Sequence, residues 1–314
     1  MAHAMTEAQV RARYRAGRYM ADISDADLHQ RRKDISRNFM TINADGKLSP
    51  LVANHRLRVF WHGRFLDLLE EYILRFGPYP RGFETLSFAE IGFPDPRSAR
   101  IRAAMSAMAG RRFEDGKYLV KYGKRAHLQD MLRTGTVRIT PASLLADTSF
   151  SDAIRDTELT MPRWLHRPRL GQIYPNLEPP VRDLVVDGSV VTSRTSEDFY
   201  LFCLSASYDA CLFDDFNADA CVIIHDPVAF RDQFVWQAHR ALSARGHVFG
   251  AVTYVDPITQ GAIDIPIAMQ KDARYSYQDE VRGAWLPQSG VTDLRVTYVR
   301  VGNLEGIAEL IEIE

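Results

Sequence analysis

The spacing of hydrophobic positions changes near residue 110. Before it, Leu57, Phe60, Trp61, Phe65, Leu68, Leu69, Tyr72 and Ile73 recur every three or four residues, the signature of one wide apolar helical face. Ser49-Pro50 predicts the start of that helix, with Ser as N-cap and Pro at the first helical position, and Gly77-Pro78 predicts its end. Two shorter helices are predicted ahead of it, an Arg-rich one over Thr6 to Met20 and one from the Ser24/Asp27 capping pair to about Met40. Asp95-Pro96 predicts a last helix that closes near Ala109-Gly110.

After residue 110 the apolar runs are short and separated by turns. Strands are predicted at Lys117 to Tyr122, Val137 to Thr140, Phe199 to Ser205, Ala220 to His225, Phe249 to Val255, Leu294 to Val301 and Ile307 to Ile313. Helices are predicted at Arg125 to Arg133, ended by Gly135, and from Asp226-Pro227 to about Arg245. Residues 141 to 197 form a long connection with Arg155, Asp156 and Glu158, read as loop charges first and substrate-loop residues second, prolines at 175, 179 and 180, and a predicted hairpin at Asp187-Gly188. Connections of this length within a domain commonly carry function. About eight strands without regular strand-helix alternation imply an α+β fold: a helical region over 1–110 for docking or regulation, then a mixed, mainly antiparallel sheet domain over 111–314.

The stretch Arg274 to Trp285 follows the polar turn Gln270-Lys271-Asp272 and predicts a loop running into a strand. If it is extended from Ser276, then Ser276, Gln278, Glu280 and Arg282 share one face, and Tyr275, Tyr277 and Val281 take the other. The simplest expectation leaves the polar face to water, with Glu280 and Arg282 as surface charges.

The overall charge of -1 excludes a strongly basic or acidic chain. Residues 1 to 110 carry 17 Lys/Arg against 12 Asp/Glu, a mild positive excess with no clear basic, aromatic stripe. Cys203, Cys211 and Cys221 match neither a disulfide framework nor a zinc pair, and three thiols suit a reducing cytoplasm. The N-terminus lacks the apolar core of a signal peptide, and no run reaches membrane-spanning length, so a soluble cytoplasmic protein is expected. His55 and His62 lie seven apart without a completing carboxylate, which favours packing or solvent roles over metal ligation. Phosphate-loop, dinucleotide-fold, zincin and nucleophile-elbow signatures are missing.

What remains is an ordered set: a strand with Lys121 and Tyr122, a helix carrying Leu128, Leu132 and Gly135, a strand ending Ser205-Ala206-Ser207, and Gln278-Asp279-Glu280. In that order the pieces resemble the ADP-ribosyltransferase superfamily, in its clostridial-toxin-like branch with Ser-x-Ser and Gln-x-Glu motifs. They are also similar to bacterial phage-defence proteins with a Lys-Tyr-Gly strand, an Asp-rich loop and a Tyr-Gln-x-Glu strand. The resemblance covers roughly residues 117 to 290. It implies an ADP-ribosyltransferase-like core, NAD as substrate, transfer of ADP-ribose to a macromolecule, and a toxin or antiviral role. It departs from the pattern at the early strand, where Lys121 stands in place of an arginine.

On that resemblance Glu280 stabilises positive charge on the ribose, as carboxylates do in glycoside hydrolysis. Gln278 orients the acceptor, and Ser205 holds Glu280 or the ribose. Lys121 neutralises phosphate as a point charge without the planar fork of arginine, with Tyr118, Tyr122 and Ser207 completing the NAD contacts. The alternatives are a catalytically silent module that senses a nucleotide or protein, and NAD hydrolysis with water as acceptor. The identity of the acceptor and the oligomeric state stay open.

Overall fold

A computed structural model describes residues 6–42, 47–50, 55–78, 87–88, 90, 93–111, 113–114, 116–146, 158–165, 170, 176, 178, 189–260 and 263–313. The predicted hairpin at Asp187-Gly188 and the loop charges Arg155 and Asp156 lie outside the described residues.

The N-terminal third opens with α1 (Glu7–Gly17) and α2 (Asp25–Phe39). Thr6 and Gln9 close a reciprocal capping box on α1, and the Ser24 hydroxyl accepts from the Asp27 N–H at 3.1 Å to cap α2. The predicted start at Ser49-Pro50 is corrected. Those residues end β2 (Leu48–Pro50), which pairs antiparallel with β1 (Met40–Ile42), a two-stranded edge position that tolerates proline. The long apolar helix is α3 (His55–Phe76), and it stops at Gly77 with φ of 80°. The next helix, α4 (Ala99–Ala107), is capped by Ser98 rather than started by Asp95-Pro96, which instead form the preceding turn.

The rest of the chain builds an eight-stranded sheet in which every pairing is antiparallel. The elements in order are β3 (Leu119–Gly123), α5 (Arg125–Thr134), β4 (Thr136–Pro141), β5 (Thr160–Trp164), β6 (Val190–Arg194), β7 (Tyr200–Ser205), α6 (Cys211–Asp215), β8 (Ala220–Ile224) and α7 (Pro227–Ala241). They continue with β9 (Gly246–Ala251), β10 (Thr253–Val255), β11 (Gln270–Asp272), β12 (Glu280–Leu286), β13 (Thr297–Arg300) and β14 (Ala308–Glu312). The predicted strand from Phe249 to Val255 is split at Val252 into β9 and β10, and the polar turn at 270–272 is itself the strand β11, paired parallel with β10. Strands β5 and β6 form a separate antiparallel pair within the long connection.

The sheet forks at β7. One edge of β7 pairs with β12 along its whole length, and β12 continues to β9. The other edge is shared: β4 pairs at Tyr200 and Leu201, while β3 pairs at Ser205. From there β4 leads to β13, and β3 leads to β8 and β14. Among the described residues, Phe202, Cys203 and Leu204 have no strand partner on that edge.

One face of the sheet packs Val222, Phe202, Leu204 and Trp285 against Leu128 and Met131 of α5 and Phe230 and Phe234 of α7. Gly135, at φ of 66°, ends α5 where a Cβ would lie 1.9 Å from the Gly302 carbonyl oxygen, so only glycine fits. Helices α1 to α3 form a second core with Tyr14, Met20, Leu28, Ile35, Trp61 and Leu68, and that core includes Ile258 and Ala273 from the far end of the chain. No helix among the described residues is long and apolar enough to cross a membrane. His62 is exposed and stacks on Phe39, and no group of three or more metal-ligating side chains occurs among the described residues.

Candidate active-site cleft at the fork of the sheet

The fork opens a cleft of about 500 Å³ whose lining includes Lys121, Tyr122, Ser205, Gln278 and Glu280. Residues up to 160 positions apart in the chain meet there because β7 brings Ser205 opposite Glu280 on one side and opposite Val120 on the other. Tyr118 and Ser207 do not line the cleft. Tyr118 is buried, with its hydroxyl accepting from the Tyr208 N–H at 3.2 Å.

The segment before Glu280 differs from the expected extended strand. Residues Ala273–Gln278 form a 3-10 helical turn, Asp279 takes the left-handed conformation with φ of 45°, and the strand begins only at Glu280. The cause is capping and long-range bonding. Asp272 accepts from the Arg274 N–H at 2.9 Å, while Asn38 of α2 accepts from the Tyr277 N–H and from the Ser276 hydroxyl, both at 2.7 Å. The Asn38 amide also donates to the Arg274 carbonyl at 2.7 Å, and the Trp61 indole N–H donates to Ser276 Oγ at 2.7 Å. Arg37 stacks over the Tyr277 ring at 3.9 Å and pairs with Asp215 at 2.6 Å. The helical third therefore forms the backing of the turn that carries Gln278.

Glu280 and Arg282 are not surface charges. Both are buried, and they belong to a four-membered ionic network. The two Glu280 oxygens accept separately, one from Arg282 Nε at 2.7 Å and the other from Lys271 Nζ at 2.5 Å. The Arg282 fork grips Glu158 at 2.7 and 2.9 Å and also donates to the Ala268 carbonyl at 2.9 Å. Two cations and two carboxylates balance. Burial alone works to raise the Glu280 carboxyl, but Arg282 and Lys271 outweigh it and hold the group well below the usual carboxylate range. The Glu280 backbone N–H donates to the Tyr254 hydroxyl at 2.7 Å, which fixes the start of β12.

Ser205 Oγ lies 2.6 Å from the Gln278 carbonyl and 2.8 Å from the Ser207 carbonyl, so its single proton ties the end of β7 to the turn or to its own loop. Lys121 bridges the fork: its ammonium donates to the Cys203 carbonyl at 2.7 Å, replacing the N–H of the missing strand, and sits 4.7 Å from the Phe202 ring centroid. Burial pulls that ammonium below the ordinary lysine range, against the opposing influence of Cys203 and Glu280. The Tyr122 hydroxyl is held at the Asp209 backbone, accepting from its N–H at 2.8 Å. The Cys203 thiol, also in the lining, is pushed up to about 12 by burial and the nearby Glu280, so it is no nucleophile at neutral pH.

Sequence patterning missed Glu158, Lys271 and Arg282, each of which reads locally as a loop or surface charge. The one available signal was the spacing of Arg282, two residues beyond Glu280, where an extended chain brings both to one face, whereas the polar run 270–272 reads as a turn and gave none for Lys271. Comparison with protein-family models, curated proteins and solved structures finds no match to this chain.

Proposed function

We propose that this cleft binds NAD and transfers its ADP-ribose to a macromolecular acceptor, on a core of ADP-ribosyltransferase type. The observation that carries the proposal is the convergence of Lys121, Ser205, Gln278 and Glu280 on one cavity, with Ser205 and Glu280 directly opposite in register. In the transfer, the bond between ribose C1′ and the nicotinamide nitrogen breaks, and nicotinamide leaves with the electron pair. A lone pair on the acceptor forms the new bond at C1′, and the acceptor's proton passes to solvent. Glu280, ionised throughout the neutral range and fixed at both oxygens, offsets the positive charge that develops on the ribose. Gln278 orients the acceptor from the turn, and Ser205 holds that turn against β7.

A second reading is a silent ligand-binding cleft, favoured by one specific observation. Lys121 and both oxygens of Glu280 are already engaged within the protein. NAD labelled on the adenylate, incubated with wild type and Glu280→Gln in lysate, separates the two. Transfer requires nicotinamide release and macromolecular label with wild type, and a loss of about 100-fold or more in the variant, the scale on which removing one electrostatic stabiliser acts. Bound NAD without release in wild type supports the silent cleft. Release without labelled macromolecule identifies hydrolysis, and equal activity in Glu280→Gln refutes the role given to Glu280.

A further inference from the structure

Strands β4 and β13 pair with Tyr298 opposite Arg138 and Arg300 opposite Thr136, and opposed residues of an antiparallel pair share a face. Their alternate residues Val137, Ile139 and Val299 are buried in the core beneath. The outward positions are Thr136, Arg138, Thr140, Tyr298 and Arg300, a set without a carboxylate. Tyr298 is 60% exposed, more than any other large hydrophobic side chain described. Arg138 and Arg300 are exposed and form no ion pair or side-chain hydrogen bond among the described residues. The face is continuous with the cleft: Thr140 lies opposite Leu201, Leu201 opposite Ala284, and the same alternation along β7 and β12 leads to Ser205 and Glu280. Arg138 and Thr140 line the cleft itself, and across the fork Lys124 lines it as well, exposed and equally unpaired.

Guanidinium and ammonium groups without a counter-charge among the described residues, interleaved with an exposed aromatic ring on an open sheet face, match the requirements of an unpaired polynucleotide strand. The cations track successive phosphates, and the ring offers a stacking platform that any base can use. A duplex keeps its base faces stacked away from such a ring, and an ordinary protein surface lacks the repeated anionic charge. We propose that single-stranded nucleic acid lies across the β4–β13 face, with a base on Tyr298 and phosphates at Arg138, Arg300 and Lys124, and so delivers its adjoining nucleotide to the cleft. Its role as ADP-ribose acceptor rests on the transfer function proposed above; the docking face does not.

Fluorescence anisotropy with labelled single-stranded DNA and single-stranded RNA of about 12 nucleotides, a length such a face can cover, and with the matching duplex, tests it. At least one single strand binds more tightly than the duplex, Tyr298→Ala weakens it about 10-fold, and Tyr298→Phe restores most of the loss. The double variant Arg138→Ala/Arg300→Ala lowers the slope of log affinity against log salt by about 1.4, from two lost phosphate contacts. Thermal melting of each variant confirms that it is folded. No binding to either single strand, equal binding of the duplex, or wild-type affinity in Tyr298→Ala overturns the proposal. Nicotinamide release measured on the same preparations keeps the two claims apart. Strand binding without release supports the docking face and overturns transfer, whereas release with label on protein and no binding of either single strand overturns the docking face and leaves transfer standing.

Discussion

Arg282 holds two buried carboxylates at once, which makes its removal the sharpest perturbation of the cleft wall. Arg282→Met keeps much of the side-chain volume but leaves Glu158 and Glu280 with Lys271 as their one ion-pair partner among the described residues, a net charge of one within that network. Breaking a buried pair on one side costs about 3–5 kcal/mol. With an unfolding entropy of about 2.1 cal/mol/K per residue over the whole chain, a loss of about 4 kcal/mol lowers Tm by about 6 °C. Charge balance makes a second demand. Glu158→Gln together with Arg282→Met leaves only the neutral Lys271–Glu280 pair, so the double variant is more stable than the sum of the two single losses by about 2 kcal/mol. Urea unfolding of wild type, both single variants and the double variant, followed by far-UV circular dichroism at pH 7, gives the cycle directly. Additive losses, within about 0.5 kcal/mol, would show that the four groups do not act as a balanced unit and would remove the basis for Glu280's persistent ionisation.

Other outcomes follow from the same geometry. Asn38→Ala removes the acceptor for two groups of the turn and the donor to a third, and unfolding by urea is expected at about 2–4 kcal/mol less stability, with Asn38→Asp recovering only the accepting half. Gly135→Ala combines a positive φ with a clash against the Gly302 backbone, so thermal melting is expected to fall further than for the same change at exposed Gly290, where the added Cβ meets nothing. The Asp272 carboxyl is raised to about 6 by burial, with Arg274 only partly opposing it. Because the folded state binds this proton more tightly than the unfolded state, Asp272 favours folding as pH falls from about 7 to about 4, by up to about 3 kcal/mol. Asp272→Asn removes that gain, so the stability difference between variant and wild type changes across this window; a difference that stays constant with pH refutes the assignment.

Where local patterning decided the structure, the sequence was legible. The apolar stripe of α3, the caps at Ser24 and Asp226, the α5 stop at Gly135 and the buried strands β7 and β8 all form where their residues predict. The mixture of N-terminal helices and an antiparallel sheet follows from the same signals. The site was legible as residue types, because Ser205, Gln278 and Glu280 do converge on one cleft. Its geometry was not. Alternation along 276–282 predicts one extended face, but Asn38 and Trp61, more than 200 residues upstream, bend the first half into a helical turn. Arg31 and Arg37 of α2 carry no local sign of burial in the sequence, yet they are buried against Asp256 and Asp215. Long-range partners of this kind leave no periodic trace along the chain.

The backing of the 273–278 turn by α2 and α3 also sets the smallest piece of the chain that can carry the cleft. A fragment beginning at residue 111 keeps every residue of the Ser205, Gln278 and Glu280 set, but it loses the side chains that bond Ser276 and Tyr277 and bares Ile258 and Ala273. The sheet and its helical backing are one unit of expression and mutagenesis, and trimming the chain to its motif-bearing region removes the wall against which the motif is set.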